Sequence, residues 1–268
     1  MNSTLRAGLI VLGTLAVTAL AAPWLATVDP FAMSGAALAH PGAAHPFGTD
    51  DLGRDVFAGV VHGARMSLQV GLVASICAIS LGMLVGGAAG LRGGWLDSLL
   101  MRLTEFVQVL PRFFLVVVIV SLFGGNLWLI VLVIGLTAWP STARVFRAQV
   151  MSISERDFVM AARAAGSRDR HILLRHVLPL AAPVLAAQVS YQAGGAILAE
   201  AGLSFLGLGD PSVLSWGTQL GAAHHMVREA WWMTLFPGLA ITLTVLGCNL
   251  IADSLSVRET DRTAAIEG

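Results

Sequence analysis

The densest chemistry in this chain lies in a charged segment between two long apolar stretches. It reads Asp157-Phe158-Val159-Met160-Ala161-Ala162-Arg163-Ala164-Ala165-Gly166, then Ser167-Arg168-Asp169, and closes on His176-Val177-Leu178-Pro179. As a helix, the first half is slim enough, with its small alanines, to enter a groove on another protein. Gly166 is placed to end that helix, because the left-handed closing conformation costs glycine least. Ser167 is expected to cap a second helix, with Asp169 in its positive first turn, and Pro179 to open the next apolar span. Seven arginines lie between Arg144 and Arg175. This is chemistry for docking, not for breaking bonds. No Ser/His/Asp, Cys/His or paired-carboxylate arrangement is recognisable, so no catalytic residue is assigned.

Other polar side chains stand inside or beside apolar runs, where ionisable groups are expensive and face a cavity or a partner. Glu105, Gln108 and Arg112 fall on one face if the helix is continuous, Glu105 and Arg112 two turns apart, with Pro111 able to kink it. Gln188, Tyr191 and Gln192 follow an i, i+3, i+4 pattern, and Glu200 lies near the end of the same run. A polar stripe lining a translocation path is one reading of these residues. Pairing with a neighbouring helix, or snorkelling to the interface, is the other. Gly194 and Gly195 suggest close helix approach. His224-His225-Met226 invites a metal reading, but adjacent histidines do not converge on one ion from a single helix face, and a soft site needs more ligands. No metal site is expected.

Composition sets the solvent. Hydrophobic residues make up 56% of the 268 and charged residues 12%, with mean hydropathy +0.77. Soluble domains carry about 25% charged residues, so this is an integral membrane protein. The formal net charge is zero, and nothing in that balance points to nucleic acid. All sixteen basic residues are arginine. A Walker A loop needs its lysine on the phosphates, so the chain is not a P-loop ATPase, and any ATP and Mg must be bound by another subunit. Cys77 and Cys248 both lie in apolar runs, which excludes a disulfide framework.

The elements that must position these groups are membrane spans. Uncharged runs cover 7–28, 66–91, 113–143, 177–199 and 230–252. The third exceeds one span of about 20 residues and holds Gly124-Gly125-Asn126, a turn signal. Split there, its first half must reach back to about Leu100 to cross. That gives six spans and a cytoplasmic N-terminus. Arg6, Arg92, Arg102, the seven arginines of 144–175, Arg258 and Arg262 then lie inside, in accord with the positive-inside rule. Five spans would put the densest arginine cluster outside. The first run is longer than a secretory h-region and is expected to stay as a span. The expected organisation is an N-terminal helix and external loop over 1–66, a core membrane domain over 67–256 with a coupling loop at 144–179, and a cytoplasmic tail over 257–268.

The charged segment resembles the loop of ATP-binding-cassette importer permeases, whose pattern is Glu-Ala-Ala, three residues, Gly, nine residues, Ile-x-Leu-Pro. Ala161, Ala162, Gly166, Leu178 and Pro179 match in register, while Met160 replaces the Glu and His176 the Ile. Phe47-Gly48-Thr49-Asp50-Asp51-Leu52-Gly53-Arg54-Asp55, continued by Gly63-Ala64-Arg65-Met66-Ser67-Leu68, is similar to a signature of the second permease subunit of dipeptide, oligopeptide and nickel importers. The same family's Leu-Ser-Phe-Leu-Gly-Leu-Gly and Ser-Trp-Gly strings stand at 203–209 and 215–217. At the C-terminus Asn249, Asp253 and Leu255 match the family but Ala252, Ser256 and Val257 do not.

The resemblance implies an all-α permease of six helices in a bacterial or archaeal cytoplasmic membrane, with both termini inside. It implies pairing with a similar permease, two ATPase subunits below and an extracytoplasmic solute-binding protein above. Peptide is the first expectation for cargo, with nickel, a metal chelate or glutathione as the alternative in the same family. A secondary transporter driven by ions through Glu105 and Glu200 is the rival from another class. In the 48–55 signature, Thr49 or Asp50 is expected to cap an external helix, with Arg54 paired locally.

Overall fold

The computed structural model describes residues 3–267, with side chains described to Ser256. Among the described residues the regular structure is helical. In chain order the helices are α1 (Ser3–Leu20), α2 (Ala22–Leu25), α3 (Val56–Arg92), α4 (Gly94–Val109), α5 (Arg112–Phe123), α6 (Leu127–Ser154), α7 (Asp157–Ala164), α8 (Asp169–Ile172), α9 (Leu178–Phe205), α10 (Trp216–Ala223) and α11 (Trp231–Glu267). A π turn over Leu173–Val177 joins α8 to α9, making one membrane-length helix over Asp169–Phe205.

Five helices are long and apolar enough to cross a bilayer. The sixth crossing is a bent pair, α4 and α5, meeting at 75°. The packing of α3 on α6 makes that pair cross. A Cβ placed on Gly82 would stand 2.5 Å from the Thr142 Cβ, one on Gly86 would strike the Ala143 carbonyl, and one on Gly90 would stand 2.8 Å from the Val150 Cβ. Lower on α6, Gly135 lies against Ala74 and Cys77. Residue numbers rise together along both helices, so α3 and α6 run parallel. The chain between them must therefore return across the membrane once. Small residues at i, i+4 and i+8 let the backbones approach this closely, and dispersion then holds them where lipid supplies no hydrophobic drive.

Gly8 of α1 packs on Gly247 and Ile251 of α11, and Trp232 at the start of α11 reaches the folded segment before α3 through Gly48 and Thr49. The Ser3 end of α1 and the far end of α11 therefore lie on the same side as the loop after α6. The expected boundary at residue 66 falls within α3, which runs unbroken through it. Residues 1–66 are not a separate unit. The expected coupling loop is also shorter than 144–179, since α6 continues to Ser154 and α9 begins at Leu178. From residue 257 the backbone continues α11, and the side chains lie outside the described residues.

Candidate functional site

Three clusters carry the polar chemistry. The first is the loop beyond α6. Asp157 opens α7 and Arg163 closes it, matching charge to the helix dipole. Gly166 adopts φ +85°; its N–H donates to the Arg163 carbonyl at 2.9 Å and the Ser167 N–H donates to the Ala162 carbonyl at 3.0 Å. That pair is the Schellman arrangement expected of a glycine stop. The second helix differs from expectation: Arg168, not Ser167, occupies its N-cap and no side chain caps it, while Asp169 does lie in its first turn.

α7 is held to the bundle by Val159, fully buried in an apolar cluster with Phe146, Val150, Ile153, Ile172 and Val177. Phe158 and Met160 are exposed, at 43% and 52%, as is Ala161, with Ala162 half-buried. Leu178 packs against the same cluster and Pro179 is exposed. Proline rings clash with the carbonyl four residues back. The π turn just before Pro179 widens the helix there, with the Leu178 N–H reaching the Leu173 carbonyl. Among the described residues, Arg147 is the arginine of the seven with a carboxylate partner: its Nε and Nη2 donate to Asp97 at 2.5 and 2.6 Å. The other six have no carboxylate within ion-pair distance among the described residues.

The second cluster is the cap before α3, at the opposite end of the bundle from the loop after α6. Gly48 and Gly53 both have positive φ, at 73° and 76°. Gly48 is also pressed against the Trp232 indole, whose Nε1–H donates to the Thr49 carbonyl at 3.0 Å. Neither Thr49 nor Asp50 caps the helix. The Thr49 hydroxyl donates to the Ala36 carbonyl and accepts from the Ala39 N–H, at 2.6 and 2.7 Å. Asp50 accepts from the N–H groups of Leu52 and Arg54, at 2.9 and 2.7 Å. Burial pushes its carboxyl above the ordinary range, against the lowering effect of those two bonds. The cap is Asp55, accepting from the Ala58 N–H at 2.9 Å and bridged to His45 Nδ1 at 2.7 Å. Its position just before the first helical residue is what an N-cap requires. Arg54 makes no local ion pair among the described residues; its guanidinium lies 5.8 Å from the Phe31 ring centroid and its Nε is buried without a partner.

The third cluster is the set of intramembrane polar groups, and it separates. Pro111 breaks the helix, so Glu105 and Gln108, both exposed on α4, do not share a face with Arg112 on α5. Arg112 donates to the Ile134 carbonyl at 3.3 Å. The Gln188–Tyr191–Gln192 stripe also divides: Tyr191 is exposed, Gln188 is half-buried, and Gln192 is 3% exposed. The Gln192 amide donates to Ser141 Oγ at 2.7 Å and to the Ala138 carbonyl at 3.1 Å, fastening α9 to α6. Glu200 is buried too, accepting from the hydroxyls of Ser204 and Ser215, both at 2.8 Å. Within this chain, Gln192 and Glu200 serve helix contacts and do not line an open face. Of the glycine pair, Gly194 lies against Cys248 and Gly195 faces open space.

Sequence reasoning missed two fasteners at the cap end of the bundle. Ser215 forms a capping box with Thr218, legible as Ser-x-x-Thr. The N–H of Trp216 donates to Ser67 and its indole N–H to the Val60 carbonyl. Asp210 accepts from the Leu127 N–H at 3.1 Å and from the Ser212 hydroxyl at 2.6 Å, supplementing the Asn126 cap of α6. Nothing in the spacing of residues 83 apart announces that contact. No group of three metal-ligating side chains converges among the described residues.

A bundle of six crossings, a short helix hung from one end and a folded cap at the other define a polytopic membrane protein. The family model described as "binding-protein-dependent transport system inner membrane component" matches residues 78–258. The chain belongs to that family and is a permease subunit of an ATP-binding-cassette importer. It is similar to a Brucella suis protein named as a peptide permease, 40% identical over 256 residues that cover 92% of this chain and 83% of the relative. It is similar also to the dipeptide transport system permease protein DppC of Alkalihalophilus pseudofirmus, 37% identical over 257 residues, 95% of this chain and 84% of the relative.

Proposed function

We propose that the chain forms half of the translocation pathway of a peptide importer. It pairs with a similar permease, two ATP-binding subunits on the side of the arginine-rich loop, and a solute-binding protein on the side of the cap. ATP and Mg are held by the ATP-binding subunits, as the absence of lysine from this chain requires of a Walker A site. The excess of arginine at that end supports a cytoplasmic position for the loop and for both termini. The names of the two relatives support peptide as cargo.

The observation that carries the coupling role is α7 itself. It is a helix of eight residues anchored by buried Val159, with Phe158 and Met160 uncovered beyond the bundle. A closing ATPase pair that grips this helix moves it as a body, because the Schellman turn fixes its angle to α8. The displacement passes into the single helix over Asp169–Phe205, a rigid-body switch of a bistable interface. The test is uptake of a labelled dipeptide into vesicles holding the four-subunit complex and ATP, with the binding protein outside. Uptake should require all partners. Uptake by this chain alone, driven by an ion gradient without ATP, would establish the rival ion-driven mechanism.

A further inference from the structure

Between the end of α3 and the helix rising from the arginine-rich loop lies a groove of about 530 Å³, within the range of about 300–1,000 Å³ typical of small-molecule sites. Its wall is apolar, including Leu84, Leu91, Leu174 and Leu178, and its mouth carries Arg92 and Arg170 with Asp169 beside them. Leu84 and Leu174 are exposed, so the groove is open from the side. Its depth in the membrane follows from α3. Arg65 and Arg92 bracket an uncharged run over 66–91, about 39 Å of helix against about 30 Å of hydrocarbon. Arg92 therefore stands at headgroup level and the leucines beside hydrocarbon tails. The π turn contributes Leu173 and Leu174 to the wall, and π turns occur often at functional sites.

We propose that this groove holds one monoanionic glycerophospholipid of the adjacent leaflet. Its phosphodiester lies between Arg92 and Arg170, and an acyl chain lies along Leu84, Leu174 and Leu178. Neither arginine has a carboxylate within ion-pair distance among the described residues, and guanidinium forks suit phosphate oxygens. Two arginines and one aspartate leave a single net positive charge at the mouth. Asp169 repels a second phosphate and accepts from a headgroup hydroxyl, which selects a phosphatidylglycerol-like headgroup. Basic pockets beside membrane helices bind anionic headgroups by the same electrostatics. The bound lipid bridges α3 to the helix that leaves the docking loop.

The assembled transporter, placed in phosphatidylcholine vesicles with and without phosphatidylglycerol, is extracted in detergent and its retained lipids are counted by native mass spectrometry. Wild type should keep phosphatidylglycerol over phosphatidylcholine by about fivefold or more. Arg92→Gln with Arg170→Gln should lose that preference. Leu174→Trp, which fills the groove and keeps both arginines, should lose it too, and free glycerol phosphate should not displace the lipid. Equal retention of the two lipids by wild type, or unchanged preference in both variants, overturns the proposal. So does displacement by glycerol phosphate, which makes the site one for a free anion. Efficient cross-linking of Leu84→Cys to the partner permease shows protein in the groove and also overturns it.

Discussion

Apart from Gly166 and its chain neighbours, no atom of the described residues lies within 4 Å of where a Cβ on Gly166 would stand, yet its φ is +85°, so glycine supplies backbone freedom there and not room. Gly166→Val should therefore cost about 1–2 kcal/mol in the turn and misaim α7. The variant should insert normally but fail to copurify with the ATP-binding subunits, while Gly166→Asn should retain much of that association. The buried amide of Gln192 works differently, since it bonds helix to helix. Gln192→Leu should lower stability by about 0.6 kcal/mol, the average of such bonds in membranes, seen as a small drop in thermal unfolding in detergent. An unchanged Tm with impaired transport would return Gln192 to the pathway. Asp210 adds a pH dependence. The Ser212 hydroxyl first, then the Leu127 and Ser212 N–H groups, hold its carboxyl below the ordinary Asp value of 3.8. A depressed folded-state pKa contributes stability above the ordinary value that is lost as pH falls through the lower folded value. Asp210→Asn should thus lower Tm at neutral pH, and the gap to wild type should close on acidification below that value.

At the scale of elements, the parallel pair α3 and α6 is the contact most sensitive to added volume. Gly86 meets backbone of α6 where its Cβ would stand, whereas Gly13 of α1 meets nothing. Gly86→Leu should separate the pair, at a cost of at least the 1–3 kcal/mol or so usual for overpacking, and reduce folded yield. Gly13→Leu should leave yield and Tm unchanged. A matching loss from both would assign the effect to glycine as such and not to the interface. The bend between α4 and α5 has a local cause in Pro111. It turns what would be one polar face into two separate environments, with Arg112 turned toward α6 and Glu105 left exposed.

For the whole molecule, the parallel course of α3 and α6 puts the arginine-rich loop and the cap before α3 at opposite ends. Cysteines replacing Ser167 and Ser212 should react with impermeant reagents from opposite sides of the membrane. Labelling of both from one side would refute the six-crossing arrangement. The positive-inside rule further predicts that Ser167→Cys reacts from the cytoplasm.

The amino-acid sequence alone determines several of these features. Hydropathy marks the spans because a helix that crosses a bilayer must be long and apolar, and Gly124-Gly125-Asn126 marks the break before α6. Gly166 marks the end of α7, because a left-handed residue with Cβ is costly in any context. These are local properties of a few residues in a known solvent. The direction in which Gln192 and Glu200 point is not legible, because helical spacing gives a shared face but not the neighbour that covers it. Spacing misplaces the cap residue among Thr49, Asp50 and Asp55 for a related reason. All three can accept a backbone N–H, and only the folded cap decides which one meets the start of α3. The bond from Asp210 to Leu127 and the alignment of Gly82, Gly86 and Gly90 with α6 join segments far apart in the chain. Their energies depend on distances that exist only once the helices have packed.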